Sequence, residues 1–259
     1  VLDCPSVGAT ETILMAASLA KGTSVIENAA QEPEVQDLAN LLNAMGARIS
    51  GAGGPSITVE GVERLHGCDY TVIPDRIEAG TFLLAAAITR STLRVAPVVP
   101  DHLSSVLQKL RDCGCGLEID GDGIVITPGT IKGIDITTQP FPGFPTDLQA
   151  QIMVLLCKGN KSSIIQENIF ENRFMHVMEL QRLGAKIQIK GSKAIIEGNT
   201  NFIGAEVMSS DLRASAALVL AAISAKGTSI VSRVYHCDRG YENFEKKLKK
   251  IGAKIKRVN

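Results

Sequence analysis

Apolar positions along this chain alternate between two spacings. Over residues 9–20, Ile13, Leu14, Ala17 and Leu19 form one helical face. Behind Pro33, where a first-turn proline is tolerated, Val35, Leu38, Leu41, Leu42 and Met45 recur at 3.6-like intervals. Elsewhere the period shortens to two. Val25-Ile26 reads as a short strand, and Arg48–Ser50 and Ser56–Glu60 read as two strands around a turn over 51–55.

This order of elements returns three times. The spacing predicts helix 77–88, strand 92–95, helix 103–113 and strands 116–119 and 123–127, then helix 147–157, strand 163–166, helix 174–183 and strands 186–190 and 193–197. A fourth round predicts helix 212–225, strand 229–231, helix 241–251 and strand 254–257. Two markers keep step with it. Gly46-Ala47, Gly114-Cys115, Gly184-Ala185 and Gly252-Ala253 lie 68, 70 and 68 residues apart, each between a helical and an extended stretch. Lys21-Gly22-Thr23, Arg90-Ser91-Thr92, Lys161-Ser162-Ser163 and Lys226-Gly227-Thr228 each end an apolar stretch and open a β-branched one. Two features sharing one period identify copies of one unit. Gly46 suits a helix C-cap, because glycine takes the left-handed conformation without a Cβ penalty.

The expected fold is therefore α/β, made of repeated βαβαββ-type units in which two helices cover a mixed sheet. The connections 61–72 and 198–209 should carry a short extended piece before the next helix. Pro74 resists continuation of regular structure, so the domain boundary is expected near 70–74, leaving one unit in 1–73 and three in 74–259. The fourth unit stops one strand short, and the chain opens at Val1 with no initiator Met. Both features lead to the expectation that an upstream segment is missing and that it completes the last sheet.

Composition narrows the function without choosing one. Twenty-seven basic residues balance twenty-seven acidic ones, so an anionic ligand must be held by local arginines and helix ends rather than a global field. No apolar run reaches the roughly 18 to 20 residues that span a bilayer. Six cysteines without a CxxC pair or a histidine at zinc-like spacing read as reduced thiols. No metal or cofactor is expected, and neither a nucleic-acid nor a membrane partner.

Candidate chemistry gathers where the first helix of each unit opens: Ser6, Thr10 and Glu11; Asp75, Arg76 and Glu78; Thr146 and Asp147; Ser210, Asp211 and Arg213. Free N–H groups and a partial positive charge at helix N-termini suit phosphate or carboxylate. The plain alternative is that Thr10, Thr146 and Ser210 cap their helices. Arg213 opposes the dipole in its first turn, which favours an anion partner. Asp147 follows the stiff run Phe141-Pro142-Gly143-Phe144-Pro145, where an aspartate can accept a proton from a hydroxyl or simply serve as a helix-start acid. Glu171-Asn172-Arg173-Phe174-Met175-His176 and Tyr235-His236-Cys237-Asp238-Arg239-Gly240-Tyr241 pack charged groups and imidazoles at corresponding places in two units. Dinucleotide, P-loop, HExxH and serine-elbow motifs are lacking.

With these clusters in view the whole chain resembles the enolpyruvyl transferase family. The matching segments are Pro5-Ser6-Val7-Gly8-Ala9-Thr10-Glu11, Glu27-Asn28-Ala29-Ala30, Pro74-Asp75-Arg76-Ile77-Glu78-Ala79-Gly80-Thr81, Phe144-Pro145-Thr146-Asp147, Phe170-Glu171-Asn172-Arg173-Phe174, Asp211-Leu212-Arg213-Ala214-Ser215 and Asp238-Arg239-Gly240-Tyr241. The resemblance implies an inside-out, barrel-like α/β architecture of two domains, each with three units around buried helices and the active site between them. It also implies transfer of enolpyruvyl from phosphoenolpyruvate to the 3-hydroxyl of UDP-N-acetylglucosamine, in the cytoplasm of a bacterium or the plastid of a plant. On that basis Ser6, Val7 and Gly8 hold the uridine diphosphate and Asp147 deprotonates the sugar hydroxyl. Arg213 and Arg239 grip phosphoenolpyruvate, and Arg173 is a further active-site arginine. The family's Lys-Asn pair and reactive loop cysteine have no counterpart here, so the chain alone is expected to be inactive. The rival acceptor is shikimate 3-phosphate. A non-catalytic sugar-nucleotide-binding module is a rival of another class, and an RNA-terminal-phosphate cyclase is disfavoured by the lack of a basic surplus.

Overall fold

The structure is a computed structural model that describes residues 1–258. Its chain divides into two compact units: Val1–Pro74 with Pro140–Gly143, and Asp75–Gln139 with the residues from Phe144 onward. No helix among the described residues is long and apolar enough to cross a membrane.

In the first unit, α1 (Val7–Ala17), β1 (Thr23–Glu27), α2 (Pro33–Ala44), β2 (Arg48–Ser50) and β3 (Ser56–Glu60) follow in order. The sheet order is β1-β3-β2, antiparallel throughout, with Val25 opposite Thr58 and Ile49 opposite Val59. Period-two alternation turns Ile57 and Val59 inward, both fully buried, onto Leu14 of α1 and Val35 and Ala39 of α2. The segment Pro140–Gly143 joins this unit, and the Phe141 N–H donates to Glu32 Oε1 at 3.4 Å.

The second unit carries three further rounds. The first comprises α3 (Arg76–Thr89), β4 (Leu93–Val95), α4 (Ser104–Asp112), β5 (Gly116–Asp120) and β6 (Gly123–Thr127). After β7 (Ile136–Thr137) come α5 (Gln149–Cys157), β8 (Ser163–Gln166), α6 (His176–Arg182), β9 (Ile187–Lys190) and β10 (Lys193–Ile196). The last round has β11 (Glu206–Met208), α7 (Leu212–Ile223), β12 (Ile230–Ser232) and α8 (Phe244–Lys250). Sheet orders are β4-β6-β5, β7-β8-β10-β9 and β11-β12. In each complete round the last strand lies centrally, as Ile126 faces both Leu93 and Leu117, and Ala194 faces both Ile165 and Ile189.

In the second unit the first helix of each round lies inside. All nine residues of α5 are buried, including Gln149 and Gln151, and α3 and α7 pack against it with nearly every residue of their middle turns buried. An all-round apolar helix requires cover on every side, and here the outer helices and sheets supply it. The arrangement is thus inside-out, as expected, but the sheets stay separate and no barrel closes among the described residues.

Three expectations change. Residues 254–257 form no strand, because strand pairing needs a neighbour and these residues meet none among the described residues. The helix expected over 147–157 begins as a 3-10 turn, Thr146–Leu148, before α5. Strand β11 supplies the extended piece expected within 198–209, whereas 61–72 holds no strand. The repeat glycines behave as read: φ is +99° at Gly46, +96° at Gly114, +99° at Gly184 and +101° at Gly252. All six cysteines are free thiols.

Candidate active site

The helix starts do not use the capping residues that composition suggests. Ser6, not Thr10, caps α1 by accepting from the Ala9 N–H at 3.3 Å, while Thr10 Oγ1 donates to the Ser6 carbonyl and accepts from the Ala30 N–H. Asp211, not Ser210, caps α7 by accepting from the Arg213 and Ala214 N–H groups, both at 2.9 Å. Asp75 caps α3 in the same way. Before α5 there is no side-chain cap, which leaves Thr146 and Asp147 for other partners.

Those partners are arginines. Arg173 Nη2 donates to Asp147 Oδ1 at 2.7 Å and Arg173 Nη1 donates to Thr146 Oγ1 at 3.0 Å. Arg213 Nη2 faces the other oxygen, Asp147 Oδ2, at 3.4 Å. Burial alone would raise the Asp147 pKa, but the charges of Arg213 and Arg173 and their hydrogen bonds outweigh it and hold the carboxyl below its ordinary range. The anion partner expected for Arg213 is therefore present within the protein. Asp147 is a paired carboxylate rather than a helix cap.

The loop carrying Asp147 rests on a residue that sequence reading passed over. Glu167 is buried, and its Oε1 accepts from Thr138 Oγ1 at 2.8 Å and from the Ile169 and Phe170 N–H groups, while its Oε2 accepts from Thr146 Oγ1 at 2.9 Å. A carboxylate with four donors fixes both the loop before α5 and the segment leading to Arg173. The Phe170 ring stacks under that arginine, 4.7 Å from its guanidinium carbon.

On its other side Arg213 meets Tyr241, whose hydroxyl lies 3.5 Å from Nη1 and whose ring centroid lies 5.8 Å from the guanidinium carbon. The hydroxyl continues into the helices through Thr81 at 2.9 Å and Gln151 Nε2 at 3.2 Å. Thr81 and Gln151 are polar residues in the buried, mainly apolar stretches of their helices, and that mismatch was the readable signal for them.

The structure joins Asp147, Arg173 and Arg213 by ion pairs in which Arg239 takes no part. Arg239 ends a 3-10 turn, Val234–Arg239, where it is exposed and forms no ion pair among the described residues. Ser6, Val7 and Gly8 belong to the first unit, where they form the cap and opening turn of α1, and Gly8 is exposed with open space at its Cα. His176 is buried at the start of α6 with Nε2 unpartnered. Burial pushes its pKa down to about 4, with Asp211 opposing and Arg173 adding to the effect, so the ring is neutral near pH 7. Cys113, Cys157 and Cys237 are buried thiols pushed up to about 12, unsuited to nucleophilic work.

Inward helices opening onto a carboxylate clasped by two arginines define an α/β protein of repeated units with a charged cluster at its inner helix starts. Its fold matches the crystal structure of the enolpyruvyl transferase NikO from Streptomyces tendae, with TM-score 0.88, 27% identity, 96% of this chain and 60% of that one covered. EPSP synthase from Acinetobacter baumannii shares the fold at TM-score 0.73 and 19% identity, covering 100% of this chain and 63% of that one. Residues 1–248 match the family described as EPSP synthase (3-phosphoshikimate 1-carboxyvinyltransferase), and the chain belongs to this family. Among curated relatives, the UDP-N-acetylglucosamine 1-carboxyvinyltransferases of Prochlorococcus marinus (strain MIT 9313) and Synechococcus sp. (strain CC9605) are each 66% identical to it, over 257 and 258 residues. The match covers 99% of this chain in both cases, and the chain spans 59% and 60% of their lengths.

Proposed function

We propose that the chain is part of an enzyme that transfers the enolpyruvyl group of phosphoenolpyruvate to the 3-hydroxyl of UDP-N-acetylglucosamine, releasing phosphate. The single observation that carries the chemistry is Asp147 held between Arg173 and Arg213. The choice of acceptor is supported by the names of the relatives at 66% identity.

In this reading Asp147 accepts the proton of the sugar hydroxyl. A carboxylate paired with two guanidiniums is a weak base, so its basicity must rise when substrate arrives. Phosphoenolpyruvate supplies the means. Its carboxylate and phosphate compete with Asp147 for Arg213, and each anion that takes over a guanidinium returns proton affinity to the aspartate. Arg173, backed by Phe170 and tied to Thr146, keeps the carboxylate oriented during that exchange. Exposed Arg239 is the second grip on phosphoenolpyruvate, and Ser6, Val7 and Gly8 hold the uridine diphosphate at an open helix start. The Lys-Asn pair and loop cysteine implied by the family resemblance complete the catalytic set. Both substrates are water-soluble, which fits a cytoplasmic step in peptidoglycan precursor synthesis, upstream of cell shape and division.

Phosphate release by the full-length protein, measured with phosphoenolpyruvate and either UDP-N-acetylglucosamine or shikimate 3-phosphate, tests the reading. Release is expected with the sugar nucleotide alone. Release with shikimate 3-phosphate alone would assign the chain to the other acceptor, and binding without release would make it a sugar-nucleotide-binding module.

A further inference from the structure

The hydroxyl of Tyr241 sits at the end of a buried hydrogen-bond chain whose protons can be followed one by one. Thr81 Oγ1 donates to the Ile77 carbonyl at 2.8 Å, which uses its only proton. Toward everything else Thr81 Oγ1 is an acceptor, so the 2.9 Å contact with Tyr241 takes the tyrosine's proton. The two protons of Gln151 Nε2 reach Thr81 Oγ1 at 3.3 Å and the Tyr241 oxygen at 3.2 Å. With its proton committed and one lone pair occupied, Tyr241 has a single acceptor site left, and Arg213 Nη1 lies there at 3.5 Å. Donation therefore runs one way, from the Arg213 guanidinium through Tyr241 and Thr81 to the Ile77 carbonyl inside α3.

Packing has no need of such a chain. Thr81 and Gln151 are fully buried, and Tyr241 is 1% exposed. Apolar residues of similar volume would fill the space without the cost of desolvating three polar groups. What the polar set adds is a fixed acceptor for an arginine that also faces Asp147.

We propose that Tyr241 is a positioning residue for Arg213, anchoring the guanidinium while it exchanges the Asp147 carboxylate for an anionic substrate. This rests on the reading of Arg213 as a grip on phosphoenolpyruvate. When the aspartate lets go, Arg213 keeps one hydrogen bond and one ring contact that do not depend on the ligand. The arginine then meets phosphoenolpyruvate already oriented.

The test uses the full-length protein with Tyr241→Phe, which keeps the ring against Phe244 (centroids 4.8 Å apart) and removes only the oxygen. The KM for phosphoenolpyruvate is expected to rise at least fivefold, while UDP-N-acetylglucosamine affinity stays within twofold. Adding Tyr241→Phe to Arg213→Lys should cost little beyond Arg213→Lys alone, because the hydroxyl acts through that guanidinium. Equal losses for both substrates, or fully multiplicative effects in the double variant, would overturn the proposal in favour of a purely structural tyrosine. Thr81→Val, which frees the tyrosine proton to rotate, should show the same selective loss in weaker form. It carries the test if Tyr241→Phe does not fold, and no selective change there would also overturn the proposal. If Arg213→Lys leaves phosphoenolpyruvate use unchanged, the reading of Arg213 falls first and this inference with it.

Discussion

Arg173 and Asp147 stand 26 residues apart in the chain and are joined by a 2.7 Å hydrogen-bonded ion pair, with Arg213 facing the second oxygen of the same carboxylate. The aspartate cannot be changed without disturbing both arginines. Asp147→Asn in the full-length protein is expected to lower turnover by roughly 10² to 10⁴-fold, the range for losing a positioned base. A helix cap would tolerate asparagine, but a shared counter-ion does not. Stability should fall by about 1 to 2 kcal/mol, at the lower end for charged hydrogen bonds because the carboxylate is 38% exposed. Initial rates and chemical denaturation measure the two effects, and near-normal turnover would remove Asp147 from the chemistry.

Acid should weaken the protein in two stages. The His176 pKa is lowered from 6.5 to about 4, so the unfolded chain takes up this proton before the folded one does. Its contribution is complete above pH 6.5 and is lost as pH falls toward 4, on the order of 3 kcal/mol in all. Asp147 and Asp211 are also held low, and their contribution is complete above the ordinary value of 3.8 and lost below it. Denaturant midpoints from pH 7.5 to 4.5 should slope downward in the wild type and flatten in His176→Leu. An unchanged slope in that variant would mean the imidazole is not buried neutral.

The two proposed phosphoenolpyruvate arginines sit in different surroundings, which makes their variants informative. Arg213→Lys gives up a planar donor shared between Asp147 and Tyr241, whereas Arg239→Lys changes an exposed side chain with no ion partner among the described residues. Each is expected to weaken phosphoenolpyruvate use at least tenfold, about 1.4 kcal/mol. Only Arg213→Lys should also lower the thermal midpoint. Separate titrations of the two substrates decide the matter. Loss confined to the sugar nucleotide would reverse the assignment.

The repeat glycines offer a test free of packing. A Cβ at Gly252 would meet nothing within 4 Å, yet φ there is +101°. Gly252→Ala should therefore cost about 1 to 2 kcal/mol from backbone strain alone. At Gly61 an added Cβ would run into the Ala20 carbonyl oxygen, so Gly61→Ala must move backbone and should cost more. Equal denaturation midpoints for the two variants would contradict this ranking.

Much of the architecture was legible because it rests on local rules repeated four times. Strands β3, β6 and β8 fall where the period-two pattern put them, and the glycine turns where the helical pattern stopped. Residues 254–257 misled because alternation reports a willingness to pair, while pairing depends on a neighbour that the alternation does not encode. Caps were misassigned for a similar reason. Thr10, Thr146 and Ser210 are all chemically able to cap, and choosing Ser6 or Asp211 instead depends on backbone placement to within a residue. Asp147, Arg173 and Arg213 could each be suspected from their segments. Their meeting could not, nor could Glu167, an acid in a strand-to-loop stretch whose importance lies in joining two nearby N–H donors to two distant threonines.

The four glycine turns close the second helix of every round with nearly the same backbone angle, yet the first helices open on residues that differ from round to round: Ser6, Asp75, Thr146 with Asp147, and Asp211 with Arg213. Duplication has thus divided inheritance between two places in one module. Each copy keeps the glycine turn that ends its second helix, while the mouth of its first helix is free to take up a different duty: a cap in one, a carboxylate held between arginines in another, an arginine facing that carboxylate in a third. A catalyst assembled from such modules can change its substrate one mouth at a time, without redrawing the scaffold that holds the others in place.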